Sequence, residues 1–340
     1  MCIYLGDAPD LTYNKREHIF PAGLGGTVTL SQGWVSDQAN GLFSSMEGEL
    51  MHSSPIALDR YFYGPGDRRG KASKSNVTVG VQDDGKIALS YLSMGKPYLI
   101  DQVYLRGENA VVSAHDDGSD ADGIMKRINN SLRKFEAQSR FVFLPCPDMA
   151  EEDLLIGAHD GKVFVACSGE RPGGDRIYNA IRKILGGLKI GELKRDSQNI
   201  RQNHVLTENA KIARVYAKTG MNALARLRGY EYAAHPAFDA IRRWIVSGEN
   251  DDAFNYLPSI AAERNKLAYA LPEDAHFCVF MQMNDEIRAL VSFYGRYTRQ
   301  FVFGKAPADN DFKYPEGYVC DWRGKAEYTL AEHIQRLARL

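Results

Sequence analysis

Arg16-Glu17-His18-Ile19-Phe20-Pro21-Ala22-Gly23-Leu24-Gly25-Gly26 is the stretch of this chain that decides how the rest is read. An acid and an imidazole stand side by side, an apolar pair and a proline follow, and a glycine pair breaks the chain direction. Thr27 to Leu30 is then a short strand-like run. From Asp37 to about His52 the apolar residues Leu42, Phe43, Met46 and Leu50 recur at three- and four-residue steps, which predicts a helix. Ser36 or Asp37 is its expected cap. Upstream, Cys2 to Leu5 is a short apolar start. The local order is strand, loop, strand, helix.

Hydrolysis of a phosphodiester needs a base to take a proton from water, a cation at the leaving oxygen, and both groups facing the phosphate. A strand carrying Glu17 and His18 beside a helix carrying Asn40 can supply these. A neutral imidazole is a competent base near neutrality. A carboxylate and an amide oxygen are hard ligands suited to Mg²⁺ or Mn²⁺.

The segments CIYL, REHIFPAGLGG and WVSDQANGLFSSMEGEL resemble the HNH endonucleases, the ββα-metal nucleases, in the branch written EHIIP, LGG, CN. The resemblance covers residues 1–70. It implies that His18 is the general base, that Glu17 holds one divalent metal, and that Asn40 is the second protein ligand or fixes the geometry. It also implies DNA as the partner, with RNA as the second option. Many members carry two CxxC pairs that bind a structural zinc. Here the corresponding positions read Cys2 and Leu5, then Ser36 and Ala39, so zinc is not expected. Packing of Ile3, Leu5, Ile19, Phe20, Val35, Leu42 and Phe43 is expected to replace it. The middle Asn of the pattern is not obvious, and Thr27 or Thr29 stands in that neighbourhood. Further on, residues 209–213 and 238–245 resemble the region that accompanies this branch in longer bacterial proteins.

The expected fold class is α+β, an N-terminal ββα-metal module followed by a larger mixed α/β region. Three consecutive segments are expected: the module at 1–70, a β-rich region at 71–170, and a mixed helical and β region at 171–340. The glycine-rich loop ending at Gly70 marks the first boundary. Strands are expected at 76–81, 86–92, 98–105, 141–144 and 162–167. Asp83-Asp84-Gly85 is the predicted turn between the first two. Helices are expected at 123–135, 208–227 and around 238–245, and strands again at 275–283, 287–294 and 301–303. A helix from Leu330 closes the chain.

With 42 basic and 43 acidic side chains, the net charge is -1, so contact with nucleic acid must be made through local patches. Arg68, Arg69 and Lys71 form the favoured patch, because they are tethered to the module and flanked by glycines. Arg182, Lys183, Lys189, Lys194 and Arg195 are read as a solvated helix face. The five cysteines are scattered, which argues against a disulfide framework. No leader and no membrane-spanning run is seen, so a cytoplasmic location is the expectation, with no membrane partner and a homodimer left open. The other histidines lack metal-ligand spacing and are read as structural. Two functions are therefore carried forward. One is an active metal-dependent DNA endonuclease whose C-terminal part serves recognition or control, with defence against foreign DNA as one use. The other is a catalytically decayed module that binds nucleic acid or senses a ligand.

Overall fold

The computed structural model describes residues 1–65, 73–115, 117–136, 140–188, 199–204, 206–249, 257–258, 269–308 and 315–339. The chain is mixed α and β. It divides into two compact units, one formed by Met1–Ser73 with Leu206–Leu340 and the other by Lys74–Val205. The segments expected from the sequence were consecutive, and these units are not. The expected C-terminal region is split, and most of it folds with the N-terminus. Tyr4, for example, hydrogen-bonds to Asn222.

The first unit is built around helix α5 (Ala210–Arg228), whose residues from Val215 to Ala225 are all buried. On one side it meets α1 (Asp37–Ser53), which is followed by the short α2 (Pro55–Tyr63). On the other it packs on an antiparallel sheet of order β10-β13-β12-β11-β14-β15. The main strands are β11 (His276–Met283), β12 (Glu286–Phe293), β13 (Tyr297–Lys305) and β14 (Glu316–Asp321), with β15 (Ala326–Thr329) and β10 (Leu257–Pro258) at the edges. Helix α6 (Asp239–Ser247) covers β13, and α7 (Leu330–Leu337) closes the sheet near β14. One continuous apolar core runs from Ile3, Ile19, Phe20 and Phe43 through Tyr216 and Leu224 to Phe280, Val291 and Phe303. Burial of this size is what orders a helix as polar in places as α5.

The second unit carries a five-stranded sheet of order β5-β4-β7-β8-β6. Its strands are β4 (Asp101–Arg106), β5 (Asn109–Ser113), β6 (Phe141–Pro145), β7 (Leu154–His159) and β8 (Lys162–Cys167). Helices α3 (Ala121–Glu136) and α4 (Gly174–Leu185) pack on one face through Ile128, Leu132, Ile177 and Ile181. A second apolar cluster, which includes Leu89, Ile100, Leu155 and Phe164, joins it to a four-stranded sheet of order β3-β2-β1-β9. There β1 (Thr78–Gln82) and β2 (Ile87–Ser93) turn through Asp83-Asp84-Gly85, with Gly85 at positive φ as that turn requires. The outer strands are β3 (Lys96–Leu99) and β9 (Ile200–Gln202). Among the described residues, no helix is long and apolar enough to cross a membrane.

Candidate functional site

The chain reverses between residues 18 and 29 in the way the glycine pair predicts. His18 and Thr29 form an antiparallel bridge, Ile19 N–H donates to the Val28 carbonyl at 3.0 Å, and Leu30 N–H donates to the Glu17 carbonyl at 2.8 Å. Thr29, not Thr27, is thus the residue opposite His18. The turn depends on glycine at both positions. Gly25 has φ of 95°, where a side chain is strained, and a Cβ on Gly26 would lie 2.1 Å from the Phe20 carbonyl oxygen. Glu327, from β15, accepts the Val28 N–H at 2.9 Å and fixes the returning arm.

Helix α1 starts beside this hairpin. The Ser36 hydroxyl caps it by accepting the Ala39 N–H. Asp37 does a different job. Its carboxylate accepts from the Thr12 hydroxyl at 2.7 Å and from the N–H groups of Asn14 (3.0 Å) and Lys15 (2.8 Å). These bonds pull the Asp37 carboxyl down to about 2, the Asn14 N–H bond contributing most, and they tie the segment before Glu17 to the first turn of the helix. Asn40, one turn on, donates from Nδ2 to the Arg16 carbonyl at 3.5 Å. Asn40 and His18 are both half-buried, and the Asn40 amide reaches the backbone two residues before His18.

Glu17 goes elsewhere. Successive residues of an extended segment project to opposite sides, so Glu17 cannot share a face with His18. Its side chain is only 6% exposed and is ion-paired through Oε1 with the Lys218 ammonium. That ammonium, fully buried in the middle of α5, also binds Glu47 Oε1 of α1 at 2.5 Å. Asn222, one turn along α5, donates from Nδ2 to the His18 carbonyl at 2.9 Å and lies 3.4 Å from Glu17 Oε1. The Tyr4 hydroxyl completes the cluster by donating to Asn222 Oδ1 at 2.6 Å. Burial alone would pull the Lys218 ammonium down. The charges of Glu17 and Glu47 and their hydrogen bonds outweigh it and hold Lys218 above its ordinary value.

This arrangement does not fit a divalent ion held by Glu17. The carboxylate is committed to an ammonium, and a metal sharing it would face that positive charge at close range in a buried setting. Among the described residues, no group of three or more His, Cys, Asp and Glu side chains is placed to hold a metal ion. The two positions where zinc cysteines would pair do approach each other: Cys2 Sγ accepts the Ser36 N–H at 3.3 Å. Of the residues expected to pack there, Ile3, Ile19, Phe20, Val35 and Phe43 are buried and Leu5 is partly so, but Leu42 is 45% exposed. The helix buries Phe43, Met46 and Leu50 instead, and Leu42 sits one step around from that stripe.

The sequence did not reveal Lys218, Asn222 or Glu47. A signal was present, since Lys218 and Asn222 stand four apart and so share one face of an otherwise apolar helix. Arg68, Arg69 and Lys71, the expected nucleic-acid patch, lie outside the described residues, as do Lys189, Lys194 and Arg195. Arg182 bonds the Tyr178 hydroxyl and Lys183 the Gly107 carbonyl, both on exposed surface of the second unit. Compared with protein-family models, with curated proteins and with solved structures, the chain has no match.

Proposed function

We propose that this chain acts on nucleic acid as an HNH-type endonuclease, with DNA as substrate and His18 as the general base that takes a proton from the attacking water. The observation that carries the reading is the junction of hairpin and helix. His18 lies on the bridge to Thr29, and the Asn40 amide touches the strand just ahead of it. Both side chains are partly open to solvent, as a base and a substrate-positioning amide need to be. The exposed Lys15 and Arg16 next to His18 supply local positive charge for a phosphate backbone in a chain with no overall excess. Glu17 is assigned a structural role, holding the hairpin to α5, and no step is routed through a metal on it.

A second reading is favoured by the same burial of Glu17. A module whose acidic ligand is spent on Lys218 can still bind nucleic acid, or sense a ligand, without cutting. Plasmid nicking separates the two. Purified protein is incubated with supercoiled DNA with and without Mg²⁺ or Mn²⁺, beside His18→Ala. Cutting that His18→Ala abolishes supports the endonuclease. Binding of DNA without cutting, equal in both proteins, supports the second reading.

A further inference from the structure

We propose that Lys218 is the resident cation of Glu17: its ammonium occupies the place a divalent ion would take, so the hairpin is locked onto helix α5 without metal and Glu17 is withheld from any metal-binding role. The proposal rests on the functional reading only in that the resemblance names Glu17 as a ligand.

Four observations support it. Lys218 has no exposed side-chain surface and is ion-paired with two carboxylates, Glu17 from the hairpin and Glu47 from α1. A buried ammonium is tolerable only when its protons are satisfied in this way. The three charges come from three separate elements, so the ammonium joins hairpin, α1 and α5 at one point, as a structural metal joins the elements that ligate it. The ring of Phe43 lies 5.5 Å from Nζ and closes another side. Asn222 binds the His18 carbonyl from the same face of α5, so the cluster sets the backbone position of the proposed base. Paired carboxylates are the hard-oxygen ligands a divalent ion takes, and the Lys218 ammonium stands between these two.

Removing the amine should therefore open a latent cation site. Lys218→Ala leaves Glu17 and Glu47 facing a void, and Mn²⁺ is the probe. Thermal melting of the full chain is followed with and without Mn²⁺. Wild type should show no shift. Lys218→Ala should melt lower and recover by about 5 °C with Mn²⁺ at about a hundred times its dissociation constant. The triple variant Lys218→Ala, Glu17→Gln, Glu47→Gln should not respond. A folded Lys218→Ala that ignores Mn²⁺ overturns the proposal. Should Lys218→Ala fail to fold, Mn²⁺ titration by electron paramagnetic resonance on wild type and Glu17→Gln decides it. Equal Mn²⁺ binding, including none in either, supports the proposal, and loss of a wild-type site in Glu17→Gln overturns it. Neither readout uses DNA cutting, so this inference and the endonuclease reading fail separately.

Discussion

His276 should make the first unit acid-sensitive in a way that one substitution removes. The imidazole is fully buried at the start of β11. Its Nδ1 accepts the Tyr294 N–H at 2.8 Å, so Nε2 carries the proton and donates to the Leu24 carbonyl at 2.9 Å. The ring thereby ties the Pro21–Gly26 loop, beside the proposed site, to the sheet. Burial pushes its pKa down from 6.5 to about 4, against the smaller opposing pull of the Leu24 bond and the Asp274 charge. The unfolded chain therefore binds a proton in the window between these values while the folded chain does not. Stability from the neutral ring is present above the window and is lost as pH falls through it. Between pH 7 and pH 5 the loss is about 2 kcal/mol. The assay is urea unfolding of wild type and His276→Asn at both pH values. Asn can still accept the Tyr294 N–H but does not titrate. Raised carboxyls such as Glu327 contribute equally to both proteins and cancel. The stability advantage of wild type should shrink by about 2 kcal/mol on acidification. A difference that stays constant would refute the buried neutral imidazole.

Other consequences are as direct. Gly26→Ala forces a Cβ against the Phe20 carbonyl and should cost at least about 2 kcal/mol by chemical denaturation, with loss of any His18-dependent activity. Phe43→Ala should cost about 3–5 kcal/mol, while Leu42→Ala changes stability by no more than about 0.5 kcal/mol, which tests the rotation of α1. Asp37→Ala should loosen the 12–15 segment, read as faster hydrogen exchange at the Asn14 and Lys15 amides with α1 still helical.

Local features were legible in the sequence wherever the physics is local. The helix from Asp37 follows from its apolar spacing and the Ser36 cap, and the reversal at Gly25-Gly26 follows from two positions that admit no side chain. The hairpin at Asp83-Asp84-Gly85 follows from its turn chemistry. Leu42 lies outside the buried stripe because a spacing that includes both 42 and 43 spans more of the helix than the core contacts. Alternation along an extended segment turns Glu17 to the side opposite His18, a local rule that is legible in the sequence. The run Leu154–His159 is a buried strand ended by the Asp160-Gly161 turn, legible from its continuous apolar start. What no local rule could give is the return of 206–340 to the N-terminal segment. The partners of Glu17 lie about two hundred residues away, and nothing in the composition marks the return to the first unit at Leu206.

The central claim is that His18 is a base acting on nucleic acid. It is tested most directly by nicking of supercoiled DNA by wild type, His18→Ala and Glu17→Gln at matched folded concentration, across Mg²⁺, Mn²⁺ and chelator. The account predicts cutting by wild type, a drop of about a hundredfold or more in His18→Ala, and retained cutting in Glu17→Gln wherever that variant stays folded. Cutting that survives loss of His18, or that vanishes in a fully folded Glu17→Gln, would contradict it.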